Sequence, residues 1–156
     1  MNTKRRTFLK NSATAGAIGV AVSAGLITPR AVFAAWPKAA FEAKSFDEAL
    51  KGSVGDTNLT DSGDIKLKAP AIAENGAVVP ITVTSKISGT ESISLLVSNN
   101  ATPLTATFNM GAGAEGFVST RIKMGKTSDV VAVVKAGGKL YTTKKEVKVT
   151  IGGCGG

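Results

Sequence analysis

From Ile65 onward the chain is a succession of short runs, apolar or alternating, cut by Gly, Pro, Asn and Ser. Seven runs follow one another: Ile65 to Ala69, Ala77 to Thr84, Ser92 to Ser98, Leu104 to Met110, Phe117 to Met124, Asp129 to Ala136 and Leu140 to Ile151. Val79, Ile81 and Val83 fall on one face of the second run; in the last, Val147, Val149 and Ile151 alternate with Glu146, Lys148 and Thr150. A period of two buries one face of a strand and leaves the other to water. Pro80, inside the second run, has no amide hydrogen to give a ladder, which predicts an edge position or a bulge. Ala136-Gly137-Gly138-Lys139 predicts a tight hairpin, and Glu74-Asn75-Gly76 a turn between paired strands. Seven short strands spaced about a dozen residues apart predict a mainly β fold, an immunoglobulin-like antiparallel sandwich over residues 65–151. The disulfide that often joins the sheets of such domains is impossible here, because the chain has one Cys.

Ahead of the strands, Phe41, Phe46, Ala49 and Leu50 fall at helical spacing and predict one short amphipathic helix ending at Gly52. The run from Gly52 to Asp64 is dense in turn residues and reads as a loop, so residues 35–64 form an N-terminal helix and loop. Asp56, Asp61 and Asp64 in this run do not have the ligand spacing of a calcium-binding loop and read as solvated turn residues.

The net charge of +8 changes meaning once it is located. The first 34 residues hold Lys4, Arg5, Arg6, Lys10 and Arg30 and no acid, so the remainder is only three charges basic. Arg5-Arg6-Thr7-Phe8-Leu9-Lys10, a weakly apolar stretch from Ala13 to Ile27 and a small-residue site at Val32-Phe33-Ala34 read as a twin-arginine export signal. The apolar stretch is shorter than the roughly 20 residues that span a bilayer, so no membrane anchor is expected. Residues 1–34 are then an address label and the destination is the periplasm. Nucleic-acid binding loses its electrostatic argument. The twin-arginine route carries folded cargo, which points to rapid folding or to export together with a folded partner.

With no His and a single Cys, the chain lacks the residues for a Ser-His-Asp triad, a His or paired-Cys zinc site, or a haem attachment motif. No cofactor cage and no metal site are expected. The distinctive chemistry is Gly152-Gly153-Cys154-Gly155-Gly156, directly after the last alternating run. Four glycines around the sole thiol remove side-chain packing and predict a flexible arm over residues 152–156. A nucleophilic enzyme thiol needs a positioned base and oxyanion donors, which a glycine arm cannot hold. A mobile thiol suits a covalent carrier that other enzymes act upon. An exported β-sandwich crosslinked through an intermolecular disulfide is the alternative that an odd, exposed Cys allows.

The terminus Val147 to Gly156 resembles that of the SoxY family, the sulfur-carrier subunits of a periplasmic thiosulfate-oxidising system. The similarity extends to Pro70-Ala71-Ile72-Ala73-Glu74-Asn75-Gly76-Ala77-Val78-Val79-Pro80-Ile81 and to Arg121-Ile122-Lys123-Met124-Gly125-Lys126-Thr127-Ser128-Asp129-Val130. The resemblance implies that Cys154 holds sulfur intermediates covalently, as a thiosulfonate and related persulfides, with no cofactor of its own. It implies a SoxZ-like β-sandwich subunit as heterodimer partner. It also implies a haem enzyme that loads thiosulfate, a hydrolase that releases sulfate and an enzyme that oxidises the remaining sulfane sulfur. An edge strand, or the helix near Phe41 and Phe46, is the expected contact for the partner subunit.

Overall fold

The computed structural model describes residues 37–150. The export-signal residues, Arg5 and Arg6 among them, and Gly152, Gly153, Cys154, Gly155 and Gly156 lie outside the described residues.

Two helices and nine strands occur among the described residues: α1 (Lys38–Glu42), α2 (Phe46–Val54), β1 (Leu59–Asp61), β2 (Ile65–Lys68), β3 (Ile72–Ala73), β4 (Val79–Ser85), β5 (Thr90–Val97), β6 (Leu104–Asn109), β7 (Phe117–Ile122), β8 (Ser128–Ala136) and β9 (Lys139–Val149). A six-stranded sheet has the order β1-β9-β8-β5-β6, with β3 also paired to β9; a three-stranded sheet has the order β2-β4-β7. Their facing sides enclose Val79, Ile81, Val83, Ile93, Leu95, Val97, Val130, Ala132, Val134 and Val147, so the fold is the expected mainly β, immunoglobulin-like sandwich.

The helical region differs from the single helix that the apolar spacing predicts. Ser45 takes an extended conformation, and its side chain accepts a hydrogen bond from the Glu48 amide at 3.3 Å, so it starts a second helix. That helix runs past Gly52 to Val54 and closes at Gly55 in the left-handed region, whose amide donates to the Lys51 carbonyl. Gly52 is there for closeness: a Cβ on it would lie 2.8 Å from the Ala40 Cβ of α1. Ala40, Ala49, Leu50 and Val54 pack with Leu96, Leu104, Val131, Val133 and Leu140 on the outer face of the large sheet, and Phe41 and Phe46 flank them. The helices thus form a third layer over their own sheet. Phe41 and Phe46 are half-buried against this cluster, and the helical layer explains why β8 reads as a nearly unbroken apolar run: both its faces are covered.

Three further expectations are corrected by strand pairing. Part of the Gly52–Asp64 run is strand, since Leu59, Thr60 and Asp61 pair in parallel with Leu140, Tyr141 and Thr142. Pro80 sits on the central strand of the small sheet, not on an edge strand; β2 ends opposite Thr82, however, so at Pro80 the strand is flanked by β7 alone and is locally an edge. The turn at Glu74–Gly76 does not join paired strands. It carries the chain from β3, which pairs in parallel with β9, across to β4 in the other sheet. The hairpin at Ala136 to Lys139 forms as expected, with Gly137 at φ 56° and Gly138 at φ 72°, the two left-handed residues of a tight turn between strands of natural twist.

Candidate functional site

The last strand delivers the chain to one end of the sandwich, and that end is tied together by long-range contacts. Lys148 donates its amide hydrogen to the Ala71 carbonyl at 3.0 Å, and Thr150 donates to Ala73 at 3.2 Å. On the other side, the Val149 amide donates to Thr127 Oγ1 at 3.0 Å. The end of β9 is therefore gripped by β3 on one flank and by the β7–β8 loop on the other.

Gly76 locks the two flanks against each other. Its carbonyl accepts from the Met124 amide at 2.7 Å. A Cβ at this position would overlap the Met124 carbonyl oxygen and come within 2.9 Å of Val149 Cγ1, so the approach requires glycine. Met124 itself is buried in the sandwich core. The β5–β6 loop supplies the remaining ties. The Asn99 amide donates to Ser128 Oγ at 2.9 Å and the Asn99 side chain to the Thr127 carbonyl at 3.2 Å. Asn100 donates through Nδ2 to the Lys123 carbonyl at 2.8 Å and accepts from the Gly125 amide at 3.0 Å. Such side-chain bonds to loop backbone satisfy groups that a strand ladder would otherwise pair.

The result is a collar around the root of the terminal segment. It is built from the three stretches on which the resemblance rests: Pro70–Ile81, Arg121–Val130 and the end of β9. Two large apolar side chains stand exposed on it, Ile72 at 57% and Val78 at 52% of their full accessibility. Lys123, Lys126 and Lys148 are exposed beside them, with Glu74 as the nearby carboxylate on β3's outgoing turn. The ion pairs among the described residues, Lys38–Glu42 and Lys144–Asp129, involve none of these four. Next to the collar, the open edges of β6 and β7 leave a cleft of about 450 Å³ lined by Asn100, Leu104, Ala106, Arg121 and Lys123.

No group of three or more His, Cys, Asp or Glu side chains positioned to hold a metal ion occurs among the described residues. Asp56, Asp61 and Asp64 do not converge on a site. Asp56 accepts from the amides of Asn58 (3.2 Å) and Thr57 (2.6 Å) and from the Asn58 side chain, and these bonds, that of the Asn58 amide foremost, hold its carboxyl below the ordinary carboxylate range. No described helix is long and apolar enough to cross a membrane. The residues that sequence reasoning passed over are Gly76, Asn100 and Thr127. Asn75-Gly76 was visible as a turn, yet nothing local marks Gly76 as a close-contact position or Thr127 as the partner of Val149.

Comparison with known proteins bears on this arrangement. The family model described as Sulfur oxidation protein SoxY matches residues 50–154, most of the chain, and the match ends on Cys154. The chain belongs to the SoxY family. Among solved structures, the sulfur carrier protein SoxY from Chlorobium limicola f thiosulfatophilum is 45% identical, with a TM-score of 0.61, covering 67% of this chain and 96% of that one. A chain from a structure concerning T cell specificity and activation by the bacterial superantigen toxic shock syndrome toxin-1 is 11% identical, covering 55% and 99% of the two chains, at a TM-score of 0.40 that carries no weight. Comparison with curated proteins finds no match.

Proposed function

We propose that this member of the SoxY family, a sulfur carrier in sulfur oxidation, holds its cargo covalently on Cys154 and presents it to other enzymes without turning it over itself. The observation that carries the reading is the match to the family through Cys154, supported by the preceding strand end, Lys148 to Thr150, which Ala71, Ala73 and Thr127 grip. Beyond that fixed root, the sequence offers one thiol among four glycines and Ile151.

The Cys154 thiolate and thiosulfate join through a new S–S bond, giving a cysteinyl thiosulfonate and releasing two electrons, which a haem enzyme accepts. Where the thiol is the starting form, one proton also leaves. Water then cleaves the terminal S–S bond of the thiosulfonate at its sulfonate sulfur, giving sulfate, two protons and a persulfide on Cys154. The persulfide's outer sulfur is the sulfane atom left for a further oxidising enzyme. An unperturbed thiol has a pKa near 8.5, so only a few per cent is thiolate at neutral pH, and the visiting enzyme supplies activation. The carrier needs no cofactor in this scheme. It acts in the periplasm after twin-arginine export directed by Arg5 and Arg6, in a heterodimer with a SoxZ-like sandwich subunit.

Cys154→Ser tests the attachment point. Serine is nearly isosteric but forms no S–S bond, so incubation with thiosulfate and the loading enzyme is expected to add a reductant-reversible thiosulfonate mass to the wild type and nothing to the variant. Thiosulfate-dependent activity surviving in the serine variant would exclude Cys154 as the carrier atom. A wild type that forms only a disulfide-linked dimer would support the crosslinked structural protein instead.

A further inference from the structure

The two internal stretches that carry the family resemblance contain no chemistry of their own, yet the fold brings both to the root of the segment that ends in Cys154. Chain length makes that location consequential. From Thr150 to Cys154 there are four residues, and fully extended chain advances by at most about 3.5 Å per residue, so Cys154 reaches no farther than about 14 Å from its root. A protein whose active site encloses the thiol therefore brings the mouth of that site against whatever surrounds Thr150. What surrounds it is defined: Ile72 pairs in register with Lys148 on β9, and Val78 follows the turn whose Gly76 touches Val149. Both side chains are more than half exposed. Lone exposed apolar residues are ordinary, but two placed within reach of an obligatory contact are not neutral to it. Exposed Lys123, Lys126 and Lys148 lie on the same stretches, against Glu74 and against Glu146 two residues before Lys148 on β9, so the surface presented is apolar with a mainly positive border.

We infer that Ile72 and Val78, bordered by these lysines, form a docking collar for the rim of the enzyme that loads Cys154, and that this rim carries an apolar ledge fringed by carboxylates. The inference rests on the carrier reading above. Apolar contact at the collar supplies residence, and the lysines steer encounter and set register. The collar separates recognition from chemistry: the thiol is the same small group wherever it goes, while the root identifies the chain that bears it.

The test compares enzymatic loading with a reaction that needs no docking. Wild type, Ile72→Asp with Val78→Asp, Lys126→Glu with Lys148→Glu, and Phe117→Asp are purified as full chains with their partner subunit. Phe117 is a useful control because it is as exposed as Ile72 but starts β7 at the opposite end of the sandwich. Loading is followed by intact mass after mixing with thiosulfate and the loading enzyme, and thiol access by the rate of alkylation with iodoacetamide. The two collar variants are expected to load at least about tenfold more slowly while alkylating at the wild-type rate, and Phe117→Asp is expected to match the wild type in both. Added salt is expected to slow wild-type loading and to speed loading of the lysine-reversed variant, since screening weakens the attraction in the one and the like-charge repulsion in the other. Loading of the collar variants at the wild-type rate overturns the collar, as does an equal fall in alkylation or an equal loss in Phe117→Asp. Absence of any thiosulfate-derived mass on wild-type Cys154 overturns instead the carrier reading beneath it.

Discussion

The two ends of the sandwich are built by opposite means. At the end away from the terminal segment, the chain reverses on bare glycines: Gly89, Gly113, Gly137 and Gly138 all have positive φ, and a Cβ on any of them would meet nothing within 4 Å. These turns are local, and each needs only a residue that tolerates the left-handed region. At the root end, glycine serves proximity, as Gly76 shows against Met124, and loops are joined by side chains far apart in sequence. Asn100 reaches Lys123 and Gly125, Asn99 reaches Thr127 and Ser128, and Thr127 reaches Val149. The far end adds one close approach to these turns, Gly116 against Ser85; the root end binds a strand terminus through side chains from two loops. In the carrier role proposed above, a fixed anchor would put a tethered thiol where an enzyme can find it.

The contrast is tested most severely at the glycines. Gly76→Ala forces a methyl into the Met124 backbone and is expected to cost about 3 kcal/mol, the upper range for overpacking against atoms that cannot rotate away. Gly113→Ala, in open space at φ 79°, is expected to cost only about 1 kcal/mol of backbone strain. Urea unfolding of the pair checks the ranking, and equal losses would mean that the root end is no more constrained than the far end.

A smaller effect is expected at Asn100. Replacement by Ala leaves the Lys123 carbonyl and the Gly125 amide without their partner, and both sit near solvent, so the cost in stability is expected to be about 1 kcal/mol. Hydrogen exchange sharpens the comparison: faster exchange at Gly125 and Val149, with unchanged exchange in the Gly137–Gly138 hairpin, is the expected pattern. Loosening spread evenly over both ends would contradict it.

The smallest effect is expected from truncation. A chain stopped after Ile151 loses residues without packing side chains apart from Cys154, while every hydrogen bond at the root is retained. Its unfolding midpoint is expected to stay within experimental error of the full chain, against a typical total stability of about 5 to 15 kcal/mol. A large drop would place residues 152–156 among the structural elements.

The sequence by itself determined the strands whose burial alternates, the Gly137–Gly138 hairpin, and the pairing of a lone thiol with glycines after the last strand. Each is encoded locally: period-two burial, left-handed backbone and side-chain size are properties of a few adjacent residues. The apolar stripe over Phe41 to Leu50 was equally visible, but its division at Ser45 and its use against the chain's own sheet were not, because a stripe states that a face is buried without stating against what. Pairing partners lay further out of reach. The parallel additions of Leu59–Asp61 and Ile72–Ala73 to β9 are too short to carry a periodic signal, and they exist only because β9 offers an open edge to fill. The same holds for Gly76, Asn100 and Thr127. Their roles come from neighbours more than twenty residues away or across two sheets, so only the folded chain decided that the stretches around Asn75 and Lys126 would meet beside Thr150 and turn a strand end into a defined anchor.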